Sequence, residues 1–349
     1  MVVAEQTGGP DGALGMAHRV LDAMSAPLEV AGVQLRPRAS IGVALATDAD
    51  ADTEGLLRDA DAAMYEAKSR GPNNVWLADA EVRGRADRRL GLEGALADAL
   101  AGDEFRLDYQ PVVDLNSGLT FGAEGLLRWE SRQFGDPVPS EILPLAEEAA
   151  LIHTLTDWTV RCAARDHRWL HERHDFPVPF HIGINMSCAQ LGSPTFIDRY
   201  LALLESAGVT PDQFVVELTE TELLEERSAA ERSLMALADA GTHVAVDDFG
   251  AGYSSFDYLT RMPLTYLKID RRLTRALPEN ARAQRVLRGL ASMCLDMGVI
   301  LVAEGIENQA EWEAYVAIGV SYGQGFHFAP PLRRSALLDQ LRSQQSSLT

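Results

Sequence analysis

The chain has 349 residues, of which 46% are hydrophobic and 23% charged, and a net charge of −20. That length accommodates one large domain and a small one, in a composition ordinary for a soluble globular protein. A chain this acidic is excluded as a general binder of nucleic-acid polymers, which requires Lys and Arg against phosphates. A phosphate ligand would have to be met by metal cations and a few placed basic side chains.

No apolar run approaches the roughly 20 residues of a membrane span. The start, MVVAEQTGGP, lacks the basic end and long apolar stretch of a signal peptide. Cys162, Cys188 and Cys294 are widely separated with no paired spacing, and read as small core residues in a reducing, cytoplasmic setting.

Residues 13–27 read as a helix with Leu14, Val20, Leu21 and Met24 on one side. Val30 to Leu45 reads as two strands with a turn near Ala31-Gly32. Asp52 to Ser69 is amphipathic, with Leu56, Leu57, Ala60, Ala63, Met64 and Ala67 at helical spacing. The turn Gly71-Pro72-Asn73-Asn74 leads to a short strand, Val75 to Leu77. Such a unit of about 80 residues is marginal as an independent core. The segments RASIGVALA (38–46) and LLRDADAAMYEAKSRGPNNV (56–75) resemble the C-terminal half of a GGDEF, or diguanylate cyclase, domain. The signature loop of that family is absent, Gly8-Gly9-Pro10-Asp11 being a faint echo, so no cyclase activity is expected. Residues 1–78 are therefore taken as a partial GGDEF-like fragment. Residues 79–91 are charged and helix-prone, a linker helix running into the domain expected over 92–345.

From Phe105 onward short apolar runs alternate with amphipathic segments. The predicted strands are Arg106–Val113, Leu119–Arg128, Phe180–Asn185, Phe214–Leu218, His243–Asp247, Tyr266–Asp270, Ile300–Glu304 and Tyr322–Phe326. The predicted helices cover 140–150, 155–173, 195–207, 227–240, 280–297, 308–318 and 333–345. Strands separated mostly by helices argue for an α/β barrel of the TIM type. Only Asp114 to Gly118 joins the first two strands, too short for a parallel crossover, so the first strand must run antiparallel.

Catalytic groups in such barrels stand at the C-terminal strand ends. Those ends carry Glu124, Asn185, Glu217 and Glu220, Asp247-Asp248, Lys268 and Asp270, Glu304 and Glu307, and Gln324. A single carboxylate at a strand end can equally cap the next helix; their joint recurrence points to a shared site. Oxygen donors of this kind suit Mg²⁺ or Mn²⁺, and the lack of a His or Cys cluster among them argues against structural zinc.

The motifs YQPVVDL, AEGLLRW, INMS, ELTE, DDFGAGYSS, LKID, AEGIE and QGFHFAPP occur in the order of the EAL family of cyclic di-GMP phosphodiesterases, which the chain resembles from Leu92 to Leu341. The name-giving triplet departs from the family, reading Glu124-Gly125-Leu126. The resemblance implies two divalent ions. Glu124, Asn185, Glu217 and Asp247 would hold one, and Asp247 would bridge to a second held with Asp248 and Glu304. Lys268 would orient the attacking water, with Glu304 or Asp270 taking its proton. Gln110, Leu126, Arg128 and Asp270 would contact cyclic di-GMP, Glu307 and Gln324 would shape the pocket, and Glu220 would anchor the loop from Phe249 to Ser255. It also implies hydrolysis to pGpG and a homodimer through the barrel. The alternatives are a catalytically silent cyclic di-GMP receptor or scaffold and a hydrolase of other phosphodiesters.

Two further expectations are structural. His167, His171 and His174 lie in a charged segment read as a solvated helix face, and the polar tail after Arg342 as frayed. Trp158 and Trp169 are assigned to the core.

Overall fold

The computed structural model describes residues 2–4, 7–30, 33–35, 37–46, 52–71, 73–176, 179–225, 227–250, 257–273 and 277–346. Ala31, Gly32, Pro72, the loop from Ala251 to Ser255 and the last three residues of the tail lie outside them. The chain divides into two compact units, residues 1–95 and 96–349.

The first unit contains α1 (Pro10–Met24), a hairpin of β1 (Leu28–Val30) and β2 (Val33–Leu35), then β3 (Ile41–Val43), α2 (Thr53–Ser69) and β4 (Val75–Leu77). β3 and β4 pair in parallel, with α2 as their crossover. Asp52 starts α2 by accepting from the Glu54 and Gly55 amides, the usual use of Asp at a helix N-cap. The expectation of two strands before α2 is corrected to three, because the first two close on each other as an antiparallel pair. Much of this unit's buried surface is alanine (Ala13, Ala17, Ala63, Ala67), which buries little area per residue. α3 (Ala80–Ala101) is one unbroken helix, so the linker segment and the helix expected after it are a single element.

The second unit is a closed barrel of β5 (Phe105–Asp114), β6 (Thr120–Trp129), β7 (His181–Asn185), β8 (Phe214–Thr219), β9 (His243–Phe249), β10 (Tyr266–Ile269), β11 (Ile300–Ala303) and β12 (Tyr322–Gly323). β5 is antiparallel to both neighbours and the remaining pairs are parallel. The helices are α4 (Pro139–Glu148), α5 (Ile152–His171), α6 (Cys188–Leu191), α7 (Phe196–Ala207), α8 (Glu220–Glu225), α9 (Arg227–Asp239), α10 (Asp257–Arg261), α11 (Ala281–Met297), α12 (Gln309–Ile318) and α13 (Arg334–Ser346). None of the described helices is long and apolar enough to cross a membrane.

Alternation along the strands builds the interior in layers. Val215, Ala245, Tyr266 and Val302 form an apolar floor with Val112, Phe121, Ile300 and Tyr322. Two residues further along their strands stand Glu217, Asp247, Lys268 and Glu304, so the next layer is charged. Phe121 joins the floor because the β5–β6 register slips between Val112 and Val113, an extra residue that turns its side chain inward.

Two expectations about the outer layer are corrected. His167 is 1% exposed on the buried face of α5, its Nε2 bonded to the Phe180 carbonyl at 3.0 Å. The tail is helical through Ser346, where the Gln344 side chain accepts from the Thr120 amide at 3.1 Å. Trp158 and Trp169 are partly buried against the core, and all three cysteines are buried and outside any disulfide.

Candidate metal centre and substrate mouth

The charged layer gathers around one ammonium group. Lys268 Nζ lies 2.6 Å from Glu217 Oε2, 2.9 Å from Glu304 Oε1, 3.1 Å from Glu124 Oε2 and 3.2 Å from Asp247 Oδ2. Gln324 Nε2 donates to both Glu124 (2.8 Å) and Glu304 (2.7 Å), and Asn185 Nδ2 donates to Glu124 Oε1 at 2.6 Å. Residues from seven strands thus meet at one point, six of them at or near C-terminal strand ends and Glu124 midway along the longer β6, because parallel strands of a closed barrel open to one mouth.

Four carboxylates against one ammonium leave an excess of negative charge in a buried place. Burial pushes Glu217 up to about 8 and Glu304 well above the ordinary carboxylate range. Burial also works against ionisation of Glu124, but the Lys268 charge and the hydrogen bonds from Gln324 and Asn185 bring it below its usual value. Lys268, despite burial, is held well above its ordinary pKa by Asp247, Glu124, Glu217 and Glu304. Burial thus favours the protonated form of Glu217 and Glu304, a cost that bound cations would offset. The donor set fits such ions. Oxygens of Glu124, Glu217 and Asp247 lie within 4.8 Å of one another, as do those of Asp247, Asp248 and Glu304, two oxygen-rich sets of the kind hard divalent cations take.

Asp248 belongs to this centre through an irregularity of β9. Strict alternation would send it to the face opposite Asp247. Instead the β9–β10 register shifts between Leu267 and Ile269, and Asp248 adopts φ +56°, a left-handed conformation that Asp tolerates better than most residues. Burial, then the charges of Asp247 and Asp270, raise its carboxyl to about 6.

The remaining sequence-predicted residues divide. Gln110 faces Glu124 across the β5–β6 pair, and Leu126 and Arg128 follow Glu124 on the same face. Glu220, 1% exposed, accepts from the Gly250 amide at 2.9 Å, at the start of the loop. Asp270 is engaged by Arg272, whose Nε and Nη2 lie 2.9 and 3.2 Å from its two oxygens; burial works against its ionisation, but these hydrogen bonds outweigh it and leave its pKa lowered. Glu307 is exposed and pairs with Arg271, so it does not enter the cluster. Sequence reading passed over Asp108, 3.4 Å from Arg128, and Arg106 and Arg333, which pair with Asp108. The signal was the alternation Arg106, Asp108, Gln110 leading into the first motif, three polar residues on one strand face.

Comparison with known proteins gives a consistent picture. The EAL domain family model matches residues 93–331 and that of the diguanylate cyclase, GGDEF domain, residues 1–74. The chain is 32% identical over 330 residues to the bifunctional diguanylate cyclase/cyclic di-GMP phosphodiesterase MucR of Pseudomonas aeruginosa, covering 94% of this chain and 48% of that protein. It is 31% identical over 329 residues to the cyclic di-GMP phosphodiesterase NbdA of the same organism, covering 94% and 42%. The chain therefore spans about half the length of these relatives or less. A structure of the MucR phosphodiesterase in complex with cyclic di-GMP superimposes with a TM-score of 0.65 at 32% identity, covering 71% of this chain and 99% of that one. The Xanthomonas citri FimX EAL domain in complex with cyclic di-GMP gives 0.61 at 26% identity, covering 70% and 94%.

Proposed function

The chain belongs to the EAL-domain family, and from that premise we propose that its barrel hydrolyses cyclic di-GMP to linear pGpG with two divalent cations, Mg²⁺ or Mn²⁺. The observation that carries this reading is the convergence of Glu124, Glu217, Asp247 and Glu304 on Lys268, with more buried negative charge than one ammonium balances. Glu124, Asn185, Glu217 and Asp247 would hold one ion, and Asp247, Asp248 and Glu304 the other. Bound together, such a pair makes water more acidic and offsets charge on the phosphate and the departing oxygen.

The protein's own groups then have distinct tasks. Lys268, fixed by its carboxylate neighbours, donates a hydrogen bond that holds the attacking water in line with the phosphorus. As the water oxygen bonds to phosphorus, its proton passes to a Glu304 carboxylate oxygen, and the bond to the ribose 3′ oxygen breaks. Glu304 suits this task better than Asp270, which Arg272 already occupies. The departing alkoxide is protonated from solvent. Gln110, Leu126 and Arg128 line the mouth for substrate, Gln324 fixes Glu124 and Glu304, and Glu307 belongs to the rim. Glu220 anchors the loop that follows the aspartates.

In this reading residues 92–345 are the catalytic domain, joined by residues 79–91 to a GGDEF-like remnant (1–78) without cyclase activity. The barrel works in the cytoplasm as a homodimer. The test is incubation with cyclic di-GMP and Mg²⁺ or Mn²⁺, resolving products by chromatography, beside Glu124→Ala and Lys268→Ala. Metal-dependent release of pGpG that both substitutions abolish is the expected result. Binding without turnover in either metal would replace hydrolysis by a receptor role.

A further inference from the structure

The two oxygen sets differ in how the barrel assembles them. Glu124, Asn185, Glu217 and Asp247 come from β6 to β9, each strand paired with the next. The set of Asp247, Asp248 and Glu304 joins the end of β9 to the end of β11. Those two strands each pair with β10 and not with one another, so the distance from the aspartates to Glu304 is set across a third strand. Directly after β10 comes one turn of 3₁₀ helix, Arg271–Leu273, and its three side chains reach three parts of the mouth.

Leu273 lies over Gly250, where the loop after the aspartates begins. A Cβ built on Gly250 would stand 2.1 Å from Leu273 Cδ1 and 2.9 Å from its Cγ, so the leucine occupies the place of a side chain. Arg271 does the same at Gly305, the residue after Glu304. Its Cδ, Cγ and Cβ lie 2.9, 3.0 and 3.1 Å from where a Cβ would be, and its Nη2 continues to Glu307 Oε1 at 2.5 Å. Arg272 turns to Asp270, donating from Nε to Oδ1 at 2.9 Å and from Nη2 to Oδ2 at 3.2 Å. The Asp270 carboxyl group is in turn hydrogen-bonded to that of Asp248. An exposed Arg–Glu pair by itself contributes about 0–1 kcal/mol and would be ordinary surface. Three consecutive side chains meeting the neighbours of Asp248 and Glu304 are not explained that way.

We propose that the turn Arg271-Arg272-Leu273 is a brace that sets the separation of Asp247 and Asp248 from Glu304, its members acting as positioning residues for the second divalent ion. The inference rests on the reading of two ions in the mouth. Residues that orient metal ligands without touching the metal commonly change its affinity by about ten- to a hundredfold when replaced. The first set depends on the brace only through Asp247, so the two ions should respond unequally.

The experiment titrates Mn²⁺ by calorimetry into the metal-free full chain without substrate. Wild type is compared with Arg271→Gln, Arg271→Lys, Leu273→Ala and the double variant of Arg271→Gln with Glu307→Gln. Wild type is expected to take up two ions. Arg271→Gln and Leu273→Ala are each expected to weaken one ion about tenfold and to leave the other within about twofold. Arg271→Lys keeps a stem over Gly305 and a charge for Glu307, so it should restore part of the loss. The double variant should bind like Arg271→Gln alone, because the two residues act as one pair. In turnover of cyclic di-GMP by Arg271→Gln, the Mn²⁺ concentration for half-maximal rate should rise by the same factor, with KM for the substrate unchanged. Equal weakening of both ions, or unchanged affinities in Arg271→Gln and Leu273→Ala, would overturn the proposal. If wild type binds two ions but releases no pGpG, hydrolysis fails and the brace is still judged by the variants' Kd. If turnover proceeds and the variants bind metal like wild type, the brace fails and hydrolysis stands. Fewer than two ions in wild type overturns the two-ion reading and the brace with it. Should Leu273→Ala not fold by circular dichroism, Arg271→Gln decides, its parent side chain being 44% exposed.

Discussion

Asp248 donates its amide to Asp247 Oδ1 at 2.8 Å while its own carboxylate, turned by a left-handed backbone, joins the same centre. Neighbours on a regular strand point to opposite faces; here a register shift makes both available. Asp248→Asn keeps the size and tolerates φ > 0, so the fold is expected to stand while Mn²⁺ affinity falls at least about tenfold, since a charged ligand is lost. Titration calorimetry beside a thermal melt checks this. Unchanged affinity would remove Asp248 from the metal centre.

Lys268 neutralises part of a buried anionic cluster, and removing it isolates those charges. Lys268→Met is expected to lower stability in chelator by about 3–5 kcal/mol, the cost of breaking a buried pair. The proposed divalent ions would stabilise the folded state by mass action, so Mg²⁺ should raise the melting temperature more in the variant than in wild type. An equal rise in both would show that Lys268 and the ions do not share the cluster.

Burial depresses His167 and His181 from 6.5 to about 4, with the charge of neighbouring His243 adding to the effect at His181. The unfolded chain therefore binds protons first as pH falls. Stability from each is complete above about 6.5 and declines as pH drops toward 4, by roughly 2–3 kcal/mol per histidine. Denaturant midpoints measured across that window should fall less steeply in His181→Phe, whose ring still packs against Phe121. An unaltered slope would contradict the assignment.

Gly125 departs from the family triplet, yet the nearest atoms a Cβ there would meet are the Gly183 carbonyl oxygen at 3.3 Å and the side chains of Leu107 and Tyr109 at 3.6 Å. A methyl group asks for a shift of a few tenths of an ångström. Gly125→Ala is expected to change stability by less than about 1 kcal/mol and activity by less than twofold. A large loss on melting or in the assay would mean that the strand at this point is less accommodating.

Glu220 holds the Gly250 amide from a buried position, and Gly250 has φ +90°. Glu220→Ala leaves that half-buried donor without its acceptor, at a cost of about 1 kcal/mol. Activity is expected to fall further than stability alone explains, because the loop beginning at Gly250 directly follows Asp247 and Asp248, the proposed metal ligands. Gly250→Ala is strained twice over, by its φ and by a Cβ only 2.1 Å from Leu273 Cδ1. Turnover near wild type in Glu220→Ala would deny the anchoring role.

Local pattern decided much of this protein. Apolar runs located every barrel strand, the five residues from Asp114 to Gly118 forced β5 to run antiparallel, and polar residues at the run ends marked Glu124, Glu217, Asp247, Lys268 and Glu304. Such features depend on neighbours a few positions away, which a sequence displays directly. Others came only with closure of the barrel. The slips that turn Phe121 and Asp248 inward shift a strand by one residue against a partner, and periodicity along one strand carries no record of that. His167 looked solvated until strands from elsewhere in the chain covered it. The cluster of Arg106, Asp108, Arg128 and Arg333 joins residues more than two hundred positions apart, and what brings them together is the return of the chain past β12 to the edge of β5.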